Sequence, residues 1–174
     1  MPENLLALQR FDSPLGPMVM LARNDRIFHI DFETPPRPFD PEAFACKGLQ
    51  IVERETKVLA KAQRQLEEYF DGQRFEFEVP LAPEGTSFQQ RAWQALREIP
   101  YGETRSYQQQ AQRLGDQRFA RAVGHANGRN PISIVVPCHR VIGKNGHLTG
   151  FASGLDKKAK LLELEARYSA IRPG

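Results

Sequence analysis

Cysteine is scarce in this chain: Cys46 and Cys138 are the only two in 174 residues, with no CxxC spacing. That excludes a disulfide-built scaffold and points to a reducing compartment, with the cytoplasm as the expected location. Long apolar runs are missing too. None approaches the roughly 18 residues needed to span a membrane. The first residues, MPENLLALQR, lack the basic start and apolar stretch of a secretory signal. A chain that is 40% apolar and 26% charged can bury one good core or two small lobes. The pattern of strands and helices along the chain gives the expected fold class, α/β (α+β), with a small N-terminal sheet under one covering helix and a mainly helical C-terminal lobe containing a helix-turn-helix.

Charge is unevenly distributed. Residues 86–174 hold 14 Lys/Arg against 6 Asp/Glu, whereas residues 1–85 hold 10 against 15. A basic half joined to an acidic half fits a lobe that meets a polyanion, although a basic face is often only a solvated one.

Leu5 to Phe11, Pro17 to Arg23 and Arg26 to Phe32 alternate as three short strands, with turn residues at 12–16 and 24–25. His29 is expected to be an ordinary strand histidine. A proline-rich loop, Thr34 to Pro41, follows, and Cys46 has no acid, base or second cysteine at useful spacing. Helical spacing from Gln50 to Phe70 predicts one helix, and Phe75 to Val79 alternates like a returning strand. These elements form an expected lobe over residues 1–80, with Pro80 to Gly85 as the linker.

The second expected lobe, residues 86–174, opens with the capping-box pattern Thr86 to Gln89 and a helix reaching Ile99, with Trp93 in its core. Ser106 to Gln109 repeats the pattern and starts a short helix ending at Gly115. Arg118 to Asn127 reads as another. Two short helices around a tight glycine-containing turn outline a helix-turn-helix. In the second, Phe119, Ala122, Val123 and Ala126 form the expected buried side, with Arg118, Arg121, Gly124 and His125 opposite. A mid-helix glycine costs about 1 kcal/mol relative to alanine. Close approach of a nucleic-acid strand would explain it, and so would packing against a neighbouring element.

The stretch NPISIVVPCHRVI, from Asn130 to Ile142, organises this half. Val135 and Val136 read as a short buried strand or extended segment that Pro137 ends. Cys138 is thereby placed at a turn on the edge of a core. With His139 beside it and Arg140 favouring the thiolate, it is a candidate nucleophile, while composition alone favours a buried structural cysteine. Asn145 and Gly146 mark an expected hairpin between residues 140–142 and 148–151. In the final helix, from about Asp156 to Tyr168, Leu155, Ala159, Leu162 and Ala166 form one apolar row, widened by Leu161 and Leu164. Glu165 falls inside that arc, where a carboxylate needs a partner.

Asn130-Pro131, the run to PCHRV and the segment from Gly150 to Glu165 together resemble the O6-alkylguanine-DNA alkyltransferases. The likeness extends from about Thr86 to Glu165 and more loosely over the first half. It implies a stoichiometric transfer of an alkyl group from O6-alkylguanine in DNA, with O4-alkylthymine a further candidate, to the protein's own cysteine. It assigns Cys138 as acceptor, His139 as a base acting through a water, Glu165 as the group that orients the imidazole, and Asn130 as the brace of the cysteine turn. Tyr107 matches the residue that rotates the 3′ phosphate and can donate a proton to guanine, and Arg121 the one that replaces the extruded base. Arg118, Gly124, His125 and Arg129 complete the implied DNA face, which would enter the minor groove of duplex DNA carrying the lesion. A monomer without cofactor is implied, and the first lobe lacks the Cys/His set that binds the structural zinc of some members. Phe151 and Ala152 depart from the family pattern in the loop over the base. The rival is an alkyltransferase-like or helix-turn-helix DNA-binding protein without transfer activity.

Overall fold

Leu6 and Leu8 lie on one side of β1 (Leu5–Ser13) and Ala7 on the other, and all three are buried. A sheet covered on both faces follows from that pattern. Gly16, at φ 121°, turns the chain into β2 (Gly16–Arg23), and Asn24, at φ 53°, turns it into β3 (Arg26–Phe32). Both turns need the left-handed backbone that glycine and asparagine adopt at least cost. The computed structural model describes residues 2–33 and 38–172. The chain divides into two units, Met1–Pro83 and Glu84–Gly174. Among the described residues no helix is long and apolar enough to cross a membrane.

In the first unit the sheet order is β3-β2-β1-β4, antiparallel except for the parallel pair β1 and β4. Leu6, Leu8, Val19, Leu21 and Phe28 form one core cluster, flanked by Phe39, Phe44, Leu49 and Ile51. His29 is half-buried and meets the Phe39 and Phe44 rings at 6.1 and 5.5 Å. Of the expected proline-rich loop, residues 34–37 lie outside the described residues, and Pro41 instead opens a short helix, α1 (Pro41–Ala45), capped by the Asp40 side chain. Cys46 follows that helix and is exposed.

Two readings of this unit are corrected. The helix expected from Gln50 begins only at Lys57. Gln50–Glu53 is a strand, β4, which takes the free edge of β1, while Thr56 caps α2 (Lys57–Phe70) through a 3.2 Å bond from the Leu59 amide. An unpaired strand edge competes for backbone bonds that helical periodicity cannot register. Phe75 to Val79 is not a strand. Side chains take its backbone groups, with the Glu78 amide donating to Gln65 Oε1 at 2.9 Å and Arg74 Nη1 to the Glu76 carbonyl at 2.9 Å. Beyond it, Leu81 makes an isolated parallel bridge to Ile27 of β3.

In the second unit, capping boxes form at both expected places, at the starts of α3 (Ser87–Arg97) and α4 (Tyr107–Arg113). A two-residue strand, β5 (Arg105–Ser106), precedes α4, and α5 (Ala120–Gly128) follows after one 3-10 turn. Ala92, Ala95, Ala111, Leu114, Val123 and Ala126 form the core of the three helices. The Trp93 indole is buried and donates to the Ala126 carbonyl at 2.9 Å.

The buried side of α5 differs from expectation. Phe119 and Ala122 are exposed, and the inward residues are Val123, Ala126 and Asn127. The helix starts two residues later than its pattern implied, which rotates the stripe. Asn127 can face inward because its amide exchanges two bonds with the Gln110 amide, at 3.0 and 2.8 Å.

The expected hairpin is also absent. β6 (Val141–Ile142) pairs in parallel with β5, and residues 144–146 form a 3-10 turn closed by the Gly143 amide on the His147 carbonyl at 2.7 Å. In α6 (Leu155–Tyr168) the buried residues are Lys157, Lys158, Leu161 and Glu165. Leu155, Ala159 and Ala166, from the expected row, are exposed. The inward face of α6 is chosen by its charged groups, which find partners there.

Candidate active site

Ile132, Ile134, Val135 and Val136 are buried, but they lie in consecutive turns and not in the expected extended segment. Ile134 has φ 71°, a left-handed backbone that a β-branched side chain adopts only under constraint. Asn130 supplies part of that constraint. Its Nδ2 donates to the Val136 carbonyl at 2.8 Å and to Cys138 Sγ at 3.2 Å, while its Oδ1 accepts from the Ile132 amide at 3.0 Å. One buried side chain thus ties both ends of the turn to the sulfur. Cys138, half-buried, then opens a 3-10 turn that carries His139 and Arg140 inward.

His139 is fully buried, and its Nε2 meets Glu165 Oε2 at 2.6 Å. A carboxylate only accepts, so Nε2 carries the proton and Nδ1 is left as the bare nitrogen. Nδ1 is buried without a partner among the described residues. Burial pushes the His139 pKa below its ordinary value, which keeps the ring neutral and able to take a proton.

Arg140 does not sit where the sequence reading placed its charge. Its Nε and Nη2 bind Glu165 Oε1 and Oε2 at 2.8 and 3.0 Å, and its Nη1 donates to the Ile99 carbonyl at 2.7 Å. The Gly102 amide adds a bond to Oε1 at 3.1 Å. Burial works against the Glu165 carboxylate, but the bonds from His139 and Arg140, with the Arg140 charge, outweigh it and hold its pKa well below the usual carboxylate range. The Arg140 guanidinium also lies 5.7 Å from the Tyr101 ring centre. Burial, then the Glu165 charge, pushes the Tyr101 hydroxyl up to about 12.

The sequence reading missed Lys158, which is fully buried and donates to the Val141 and Thr149 carbonyls at 2.6 and 2.7 Å. Its signal was available, because Lys158, Leu161 and Glu165 recur at i, i+3 and i+7. Burial lowers its pKa to about 8, with the charge of Cys138 acting in the opposite direction.

Tyr107 is the first residue of α4. Its hydroxyl donates to the Thr149 carbonyl at 3.1 Å and accepts from Thr149 Oγ1 at 3.3 Å. Gly124 of α5 faces the same ring: a Cβ there would lie 3.6 Å from it, so the glycine packs beside a neighbouring element. Arg121, His125 and Arg129 are exposed, as is Arg118, whose guanidinium pairs with Asp116 at 2.7 Å. Phe151 is buried and Ala152 half-buried. Asn130 therefore bonds Cys138, His139 and Arg140 bond Glu165, and the two groups meet at the Cys138–His139 peptide link, while Tyr107 joins Thr149.

Two family models match the chain. Residues 8–83 fit the 6-O-methylguanine DNA methyltransferase ribonuclease-like domain, and residues 87–167 fit the DNA binding domain of the same methyltransferase. A methylated-DNA–protein-cysteine methyltransferase of Methanosarcina acetivorans is 49% identical over 156 residues, covering 89% of this chain and 95% of that protein. Another, of Haemophilus influenzae, is 45% identical over 89% of this chain and 83% of its own length. Among solved structures, Mycobacterium tuberculosis OGT in complex with DNA is 42% identical with a TM-score of 0.80, covering 92% and 93% of the two chains.

Proposed function

The chain belongs to the 6-O-methylguanine DNA methyltransferase family and reverses DNA damage directly by moving an alkyl group onto a cysteine of its own, and we propose that Cys138 is that cysteine. The observation that carries this reading is the bare, buried Nδ1 of His139, next in sequence to the sulfur, with Glu165 fixing the opposite nitrogen.

The proton of the Cys138 thiol passes through a water to His139 Nδ1, and the imidazolium that forms is stabilised by Glu165. Arg140 keeps Glu165 ionised throughout. The thiolate attacks the alkyl carbon in line with the bond to guanine O6, so a carbon–sulfur bond forms as the carbon–oxygen bond breaks. The departing oxygen keeps the electron pair and regains a proton from the Tyr107 hydroxyl or a water. Asn130, by donating to Sγ, stabilises the sulfur's negative charge before transfer. The thioether left on Cys138 is a stable product with no good leaving group, so each molecule acts once.

O6-alkylguanine in duplex DNA is the proposed substrate. An O6 lesion inside the stack is out of reach, so the nucleotide must be extruded, at a few kcal/mol and less for a damaged pair. Arg121 takes its place in the helix, with Tyr107 beside the neighbouring phosphate. Arg118, His125 and Arg129 bind the backbone as α5 enters the minor groove, whose nearly degenerate readout suits a protein that must act in any sequence. Gly124 keeps that helix narrow where Tyr107 passes. All these groups lie on one chain, which supports action as a monomer.

The test mixes the protein with limiting methylated duplex and maps the adduct by peptide mass spectrometry. One alkyl group per protein on Cys138 is expected. Cys138→Ser should transfer nothing while binding DNA as before. An adduct on Cys46 would refute the assignment.

A further inference from the structure

Phe119 stands where a polar residue would serve the fold better. It is the N-cap of α5, and its side chain makes no capping bond. Serine, threonine, aspartate or asparagine there would satisfy an orphan amide and stabilise the helix, and phenylalanine forgoes that. The side chain is also 41% exposed. Of the three large apolar side chains exposed among the described residues, Phe119, Leu155 and Ile171, it alone lies on the helix proposed to meet DNA.

Its surroundings are cationic. Arg118 precedes it, Arg121 follows two residues on, and His125 and Arg129 continue the exposed side of α5. Asp116, the nearest carboxylate in sequence, is tied to Arg118 at 2.7 Å. Ala122, one turn along from the ring, is exposed and small, so nothing bulky follows it on the helix. The ring itself is mounted firmly. It meets Phe88 edge to face, with centroids 6.2 Å apart and planes at 86°, and Phe88 packs on the core of the three helices. A fixed, flat apolar surface inside a basic face suits a polyanion that carries stacked bases. An apolar protein surface would offer nothing to Arg121 and Arg129.

We propose that Phe119 is an apolar wedge for nucleotide extrusion: its ring enters the minor groove beside Arg121 and covers the base face that loses its stacking partner when the lesion swings out. Apolar wedges of this kind unstack base steps in other minor-groove proteins, and stacking on an aromatic ring tolerates any base. Phe88 gives the ring its backing. The inference rests on the reading that α5 meets the lesion.

The experiment measures single-turnover transfer by the wild type, Phe119→Ala, Phe119→Leu and Arg121→Ala, with thermal unfolding of each. Three substrates are compared at saturation: O6-methylguanine in a duplex, the same oligonucleotide as a single strand, and the free methylated base. Stacking one base on an aromatic ring corresponds to about 5- to 150-fold, so Phe119→Ala should lose that much on the duplex. The loss should shrink on the single strand, where no pair is broken, and vanish on the free base. Phe119→Leu, apolar but without a flat ring, should fall between. Equal losses on all three substrates would show that Phe119 only supports the fold through Phe88, and would overturn the proposal. Wild-type duplex transfer by Phe119→Ala, with Arg121→Ala slow, would overturn it while leaving α5 at the lesion. Undiminished duplex transfer by both variants would overturn the α5 reading, and the proposal with it.

Discussion

Glu165→Gln replaces one oxygen by an NH2 group and leaves the side chain's shape almost unchanged. In this site that is a severe change. Oε2 accepts from His139 Nε2 and Arg140 Nη2, and Oε1 from Arg140 Nε and the Gly102 amide. Either orientation of the new amide points an NH2 at a donor that cannot accept. With nitrogen at the first position it meets Arg140 Nη2, and at the second it meets Arg140 Nε and the Gly102 amide. The buried guanidinium also loses its counter-charge. Removing one member of a buried ion pair costs about 3–5 kcal/mol. At about 2–4 °C per kcal/mol for a chain of this size, the melting temperature should fall by about 6–20 °C. Chemistry should suffer separately. An amide that donates to His139 Nε2 drives the ring proton to Nδ1, the nitrogen that must receive the thiol proton. Loss of a general base lowers rates by about 10²- to 10⁴-fold. Single-turnover transfer of a labelled methyl group, measured well below the new melting temperature, separates the two effects. Transfer within about threefold of wild type in a folded Glu165→Gln protein would show that Glu165 supports the fold and not the base.

Acid should unfold the protein in two stages. His139 is held neutral below its ordinary 6.5, so the unfolded chain takes up a proton that the fold excludes once pH drops below that value. Glu165, ordinarily near 4.5 and well below it in the fold, gives its full stabilisation above 4.5 and loses it as pH falls further. Urea midpoints at pH 7.5, 5.5 and 3.5 should decrease in that order, and equal midpoints at the first two would refute the buried neutral imidazole. Alkylation of Cys138 should lower the melting temperature by about 2–12 °C, because overpacking of about 1–3 kcal/mol falls on the turn that Asn130 ties together. An unchanged melting temperature in fully alkylated, DNA-free protein would mean that the sulfur opens into a roomy pocket. Arg121→Ala should slow repair of duplex DNA far more than reaction with free alkylated base, which needs no extrusion; equal losses on both would give Arg121 a role in the fold.

Local signals read well in this chain and long-range pairing did not. The first three strands and both capping boxes are written in neighbouring residues, so they were legible. So was Glu165, because a carboxylate inside an apolar arc is conspicuous on a helical wheel. β4 was not, since Gln50 to Glu53 become a strand only because Leu5 to Leu8 offer an edge. Phe75 to Val79 failed in the opposite sense: its alternation is real, but side chains took its backbone groups first. β6 has its partner at Arg105 and Ser106, so the hairpin reading, which looked only downstream, had no access to it. Arg140 misled because adjacency in sequence says nothing about direction. Its side chain turns from the sulfur to the carboxylate. Lys158 was passed over because a lysine on a helix is ordinarily taken for a solvated one.

The distance along the chain from His139 to Glu165 sets an order of assembly during translation. Glu165 follows His139 by 26 residues, which a ribosome adds in about 1–5 s. Through that interval the cysteine has been made while the carboxylate that fixes its neighbour's tautomer has not. A nascent chain holds its sulfur beside an imidazole free to put its proton on either nitrogen and an arginine without a counter-charge. Arming the thiol waits for α6 to fold back, although the α4 and α5 residues proposed to meet DNA are made before the cysteine.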